Sequence, residues 1–247
     1  MGVPPPYGLR PRLAAYAKVV RTLMHRFLRR TDQNKWRAYG FPKEWELRSG
    51  QMAAFVPPGS TVYEFGAGSS NLARFLPETC TLISSDVIER RPGMLVIDLN
   101  RRPFPRIAGS GRLVAVFGGV LEYLADLPAV LQWAGSNFDL CIASYECAGT
   151  QPGLKEWLRS RIRRSHEGWV NHYTQVQLST LFADAGYRLL HTAVWGESDP
   201  GMIYLFQRSS APNLRQLNLE IASAHIKRQE QRVREHQVNS APDQEHY

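Results

Sequence analysis

The 247-residue chain has few cysteines, few acids in its first fifth and no long apolar run, and each shortage excludes something. Cys80, Cys141 and Cys147 are too few, and odd in number, for a disulfide framework, so a reducing, cytoplasmic setting is expected. No stretch approaches about 18 uninterrupted apolar residues, which excludes a transmembrane helix. The first residues lack the apolar core of a secretory signal, and Pro4-Pro5-Pro6 would interrupt one. There is no Cys-x-x-Cys pair and the seven histidines are scattered, so no zinc site is indicated and no metal is expected. The shortage of acids is local. Residues 1–50 carry eleven Lys/Arg against three Asp/Glu, whereas residues 51–247 carry nineteen of each. The net charge of +8 therefore sits in the first fifth, which points to one basic face or arm. With 43% hydrophobic residues the chain can still bury a core.

Residues 1–9 are rich in Pro and Gly and are expected to be loose. From Arg12 to Arg30, Leu13, Tyr16, Val20, Leu23, Met24, Phe27 and Leu28 recur at helical spacing, with Thr31-Asp32-Gln33-Asn34 ending the helix. An aromatic stretch follows (Trp36, Tyr39, Phe41, Trp45), with a second helix over about Pro42–Ala54, and Pro57-Pro58-Gly59 marks a boundary. Beyond it, strand-like runs fall at Thr61–Phe65, Thr81–Ser85, Met94–Ile97, Leu113–Phe117, Asp139–Ser144, Arg188–Val194 and Met202–Gln207. The first five are nearly all apolar, as central parallel strands covered on both faces would be. Helices are expected at Ser70–Leu76, Leu124–Trp133, Leu154–Arg163 and Gln175–Ala185, which makes the class α/β. The last two strands are separated only by Trp195–Gly201, with Asp199-Pro200-Gly201 as the turn. A parallel crossover needs about a dozen residues or more, so these two must pair antiparallel. Asn213–His236 reads as a polar helix, and Gln237–Tyr247 as a disordered tail. The expected organisation is a basic helical extension or lid (1–54), a ligand-binding domain (55–210) and a C-terminal helix with tail (211–247).

Val62-Tyr63-Glu64-Phe65-Gly66-Ala67-Gly68-Ser69-Ser70-Asn71-Leu72 is a strand, a glycine turn and a helix start. Gly66 and Gly68 allow backbone to approach a ligand, and the turn offers free N–H groups. Glu64 ends the first strand, Asp86 the second and Asp98 the third. Asp86 stands 22 positions after Glu64, where a carboxylate is placed to take both ribose hydroxyls. Three carboxylates at successive strand ends converge on the sheet edge where open α/β folds bind ligands.

On these residues the chain resembles the class I S-adenosylmethionine-dependent methyltransferases over roughly residues 55–208. Glu64-Phe65-Gly66-Ala67-Gly68-Ser69-Ser70 is similar to their first motif, with Ser70 in place of its third glycine. Phe117-Gly118-Gly119-Val120-Leu121-Glu122-Tyr123 is similar to their fourth. The resemblance implies a Rossmann-like, mostly parallel seven-stranded sheet with helices on both faces and a terminal antiparallel hairpin strand. It implies S-adenosyl-L-methionine as cofactor. Glu64 would organise the methionine ammonium, with Gly66, Ala67 and Gly68 lining it. Asp86 and Val87 would serve the ribose, Asp98 and Leu99 the adenine, and Phe117 and Gly118 would open onto the methyl group. An NAD-binding Rossmann domain is the nearest competitor, but it wants Gly where Asn71 stands and lacks the terminal hairpin.

The expected reaction is methyl transfer to a small molecule, at oxygen rather than nitrogen. The bases considered are Glu122, just past the fourth strand, and His166 and His172, which flank Gly168-Trp169. Tyr123, Tyr145 and Tyr173 are further pocket residues. No Pro-Cys dipeptide supplies a cysteine nucleophile, and no Asn/Asp-Pro-Pro-Tyr/Phe follows strand four, which argues against base methylation of either kind. Three readings of the basic N-terminal helix are open: a cap over the cofactor cleft with its apolar face down, a helix for a membrane surface or an acidic partner, or a nucleic-acid arm. The alternatives to a small-molecule enzyme are an RNA methyltransferase using that arm, and a non-catalytic partner protein. Oligomeric state is open.

Overall fold

The computed structural model describes residues 9–149, 153–195 and 201–210. The C-terminal helix and tail, the first eight residues and Asp199-Pro200 of the expected turn lie outside them. Three helices come first: α1 (Leu9–Leu28), α2 (Gln33–Arg37) and α3 (Glu44–Ala54). The strands are β1 (Thr61–Phe65), β2 (Thr81–Asp86), β3 (Leu95–Val96), β4 (Leu113–Gly118), β5 (Leu140–Tyr145), β6 (Tyr187–Trp195) and β7 (Gly201–Arg208). Between them lie α4 (Leu127–Asn137), α5 (Leu154–His166) and α6 (Gln175–Asp184).

The strands form one seven-stranded sheet in the order β3-β2-β1-β4-β5-β7-β6. β1 to β5 run parallel, and β7 inserts antiparallel between β5 and β6, as the short connection required. Strand order reverses between β1 and β4. A crevice opens there, beyond the carboxyl ends of the strands.

Alternation along the strands sends side chains to two separate cores. Tyr63, Phe65, Ala115 and Phe117 face α4 and α6, where Phe182 and Phe206 stack at 3.6 Å. Val62, Val114, Val116, Ile142, Ile203 and Leu205 face the other way, onto Met52, Ala53, Phe55 and Val56. The expected boundary at residue 54/55 thus passes through continuous packing. Local chemistry sets the helix ends. Asp126 caps α4, with Pro128 in its first turn, so that helix starts at Leu127 rather than Leu124. Thr174 and Gln177 form a capping box on α6.

Four expectations need correction. Ser70–Leu76 is not an α-helix but a short 3-10 turn, Asn71–Arg74, with Ser70 at φ 59°. Pro77 truncates the segment, and α3 packs on that face instead. Met94–Ile97 is not a covered central strand: β3 is two exposed residues at the sheet edge. The segment that was to end the first helix starts a new one, α2, capped by Asp32. Finally, α1 does not turn its apolar face down. Tyr16, Val20, Leu23, Met24 and Phe27 are exposed, whereas Thr22 is buried and donates to the Ser165 carbonyl of α5 at 2.8 Å.

Candidate functional site

Two lobes of one cleft open at the β1/β4 switch point. The larger, about 600 Å³, is walled by Thr31, Trp36, Phe41, Trp45, Phe65, Gly66, Asp86, Val87, Asp98, Leu99, Gly118 and Tyr123, among others. The smaller, about 410 Å³, is walled by Arg48, Glu64, Gly66, Ala67, Gly68 and Ser69 and shares Phe41, Trp45, Gly66 and Gly118 with the first. The structure therefore brings Glu64, Gly66, Ala67, Gly68, Asp86, Val87, Asp98, Leu99 and Gly118 around one space. Gly66 takes φ +69°, and a Cβ there would strike Val120 at 2.4 Å, so the turn demands glycine.

The carboxylates differ in their engagement. Asp86 accepts from the Gly68 and Val87 N–H groups (2.9 and 2.7 Å) and from Arg90 Nε at 3.1 Å. Asp98 Oδ1 accepts from Thr31 Oγ1 at 2.7 Å and the Asn100 N–H at 3.0 Å. Its Oδ2 is buried and accepts no hydrogen bond, though Arg101 Nε approaches to 3.5 Å. Burial pushes the Glu64 carboxyl up to about 7, partly offset by a Ser84 hydrogen bond and by Arg91 and Arg48.

Arg48 is the residue that sequence reading missed. It is 7% exposed, and burial draws its guanidinium down to about 10 despite Glu122, Tyr123 and Glu64 nearby. Its Cζ lies 4.6 Å from the Trp45 ring and 5.1 Å from Trp195. Gly119, at φ +69°, admits it: a Cβ there would meet Arg48 Nη1 at 2.7 Å. Its Nε has no hydrogen-bond partner. A buried cation with a spare donor and a buried carboxyl on the walls of one small lobe form a dipolar pair complementary to a zwitterion. No motif announces Arg48; the one cue, Trp45-x-x-Arg48 on a helix, is common.

Three assigned roles do not survive the geometry. Phe117 is wholly buried in the α4 core, stacked on Phe65 at 5.1 Å, and lines neither lobe. Glu122 is enclosed rather than presented to an acceptor. Its Oε1 accepts the Glu146 N–H at 2.9 Å, its Oε2 is buried without a partner, and burial pushes its carboxyl up. It is 4% exposed and is not among the walls of the cleft or of the adjoining cavity. His172 is likewise set aside. Burial first, then Arg164, lowers it to about 4, and its Nδ1 accepts from Arg164 Nε at 3.3 Å. Tyr145 is core, donating to Asn171 Oδ1 at 2.6 Å, and Tyr173 is not among the walls of the cleft or of the adjoining cavity.

His166 does face a cavity, of about 1370 Å³, between α1 and residues 166–170. It shares Thr31, Trp36, Trp45 and Tyr123 with the larger lobe, so the two adjoin. Tyr39 and Trp169 add flat walls, and Lys18, Arg21, Arg30 and Lys35 outnumber Asp32 and Glu167. Lys35 Nζ sits 5.1 Å from the Trp36 ring and 4.9 Å from Tyr123 and donates to the Glu167 carbonyl, with its basicity lowered by burial.

No protein-family model and no curated protein sequence matches the chain. Solved structures do match. Mitomycin 7-O-methyltransferase superposes at TM-score 0.50 with 14% identity, over 78% of this chain and 67% of that one. The fold is that of the class I methyltransferases. Magnesium protoporphyrin IX methyltransferase from Synechocystis PCC 6803, with bound S-adenosylhomocysteine, is 16% identical over 76% of this chain and 100% of its own (TM-score 0.48). 1,6-Didemethyltoxoflavin-N1-methyltransferase from Burkholderia thailandensis, with bound 1,6-didemethyltoxoflavin and S-adenosylhomocysteine, is 12% identical over 85% and 94% (TM-score 0.49).

Proposed function

We propose that the chain binds S-adenosyl-L-methionine in the two-lobed cleft and transfers its methyl group to a small molecule in the adjoining cavity. The observation that carries this reading is the convergence of Glu64, Asp86 and Asp98, from three separate strand ends, on one cleft that also holds Arg48. The residues fit the cofactor. Glu64 and Arg48 suit the ammonium and carboxylate of its methionine end. Asp86 already accepts three hydrogen bonds and retains about one further acceptor position for a ribose hydroxyl, since a carboxylate offers about four. The unused Oδ2 of Asp98 suits the adenine amino group.

The cofactor, when bound, supplies an already activated methyl group. The chain's own work is to orient and to exclude water. Trp36, Phe41 and Trp45 roof the cleft, and Thr31 ties this roof to Asp98. Holding two reactants in line supplies about 7–11 kcal/mol of barrier reduction. The cationic surplus on the cavity wall favours an acceptor with an ionisable oxygen over an amine that is protonated at neutral pH. Lys35, between two rings, would stabilise such an oxygen as it loses its proton. His166 is the one base named from sequence that lines the cavity and stands as the candidate proton acceptor.

Thermal unfolding with S-adenosylhomocysteine tests the reading. At 100 times its dissociation constant the ligand adds about 2.7 kcal/mol, which raises the midpoint by roughly 5–10 °C for a chain of this size. No shift at millimolar ligand would leave a non-catalytic protein of this fold as the reading.

A further inference from the structure

An amphipathic helix on a folded domain normally turns its apolar stripe inward. α1 does the reverse. Tyr16, Val20, Leu23 and Phe27 follow one another at spacings of three and four, with Met24 beside Leu23, and each is more than half exposed. Its inward side is polar instead: Lys18, Arg21, Thr22 and His25 line the acceptor cavity, and Thr22 bonds to α5. α5, packed against α1, repeats the pattern. Leu154, Trp157, Leu158 and Ile162 are exposed at helical spacing, while Arg164 and Ser165 are buried. Two neighbouring helices therefore hold large apolar side chains that no described residue covers, at a cost that a monomeric soluble surface avoids unless something covers it.

Charge decides what the cover is. Arg26 on α1 and Lys155, Arg159 and Arg163 on α5 are exposed, against the one acid Glu156, whereas Lys18 and Arg21 face the cavity and Arg164 is buried. A second copy docked on the same face would bring like charges together around the apolar contact. An anionic surface would be attracted by the same residues that a second copy repels. Phe and Trp on one side of a helix, with Lys and Arg on the others, is the composition of helices that lie in the plane of a bilayer interface. Among the described residues no helix is long and apolar enough to cross a membrane, so the contact lies on the surface.

We infer that the α1/α5 face docks the protein on anionic lipid bilayers, with the outward stripe of α1 entering the interface. This placement sets the acceptor cavity, which α1 walls from inside, next to the membrane surface. The inference does not depend on methyl transfer.

Co-sedimentation of the full chain with vesicles tests it. Vesicles of phosphatidylcholine containing about 30 mol % phosphatidylglycerol should retain the protein, pure phosphatidylcholine should not, and about 0.5 M salt should release it. The triple variant Val20→Ser/Leu23→Ser/Phe27→Ser alters only exposed positions. It should keep the wild-type melting midpoint and S-adenosylhomocysteine binding while losing at least about tenfold in vesicle partitioning. Absence of binding to the anionic vesicles, or equal binding to both kinds, overturns the inference. So does sedimentation equilibrium showing a dimer that the triple variant makes monomeric, since a second copy then covers the face. Vesicle binding with no S-adenosylhomocysteine binding would instead remove the methyltransferase reading and leave the membrane contact standing.

Discussion

Glu64 permits a quantitative test of how the cleft handles a cationic ligand. Its carboxyl stands at about 7 instead of the ordinary 4.5, chiefly because the β1 end is buried. For an acid raised in this way, burial favours the protonated form. Its contribution to folding is fully present below the unfolded value, near pH 4.5, and is lost as pH rises through 7; ionising it costs the ligand-free protein about 3 kcal/mol. An ammonium group brought beside Glu64 favours the carboxylate and pulls the pKa back down. Full return to 4.5 releases about 0.75 proton per ligand at pH 6.5 and about 0.25 at pH 7.5. The same linkage makes affinity about 20-fold lower at pH 5.5 than at pH 7.5. Titration calorimetry of S-adenosylhomocysteine in buffers of different ionisation enthalpy measures the released proton directly. Glu64→Gln should abolish both the buffer dependence and the pH slope. Buffer-independent heats at pH 6.5 in the wild type, or an affinity flat between pH 5.5 and 7.5, would refute the placement of a cation beside Glu64.

Other substitutions separate ligand contacts from packing. Arg48→Met should weaken S-adenosylhomocysteine about tenfold or more by calorimetry while leaving the melting midpoint unchanged or higher, because a desolvated cation is removed along with its ligand contact. Asp98→Ala should cost about 1.5–3 kcal/mol of S-adenosylhomocysteine binding, and adenosine binding should fall with it, since the lost contact is at the adenine end. Gly66→Ala forces a side chain into Val120 at positive φ and should abolish cofactor binding with a destabilisation of about 1–3 kcal/mol in urea unfolding. Phe182→Ala breaks the stacked pair with Phe206, far from the cleft, and should cost about 3–5 kcal/mol of stability without changing ligand affinity in the fraction that remains folded.

Much of the cleft proposed for the cofactor was legible because its signals are local. Glu64-Phe65-Gly66-Ala67-Gly68 places a carboxylate and two glycines at one strand end, Asp86 ends β2 beside it, and Asp98 follows β3 by two residues. Parallel pairing in register then carries strand ends to the same edge. The adjoining cavity, proposed for the acceptor, was less legible because its walls come from distant segments. Lys35, Trp36 and Trp169 meet only after α1 has packed on α5. Glu122 and His172 illustrate the opposite failure. Both have the right chemistry close to the right motifs, yet the chain folds each into a closed hydrogen-bonded position.

The order of strands and helices, the final antiparallel hairpin and the concentration of positive charge in the first fifty residues follow from the sequence itself, since each depends on neighbours a few residues apart or on simple counting. The direction in which α1 faces, the burial of Arg48 between two tryptophans and the loss of Phe117 from the site depend on contacts between residues far apart in the chain. Helical periodicity reveals that a stripe exists but not which side of it meets the protein; that depends on what packs against the polar face, and here α5 takes it.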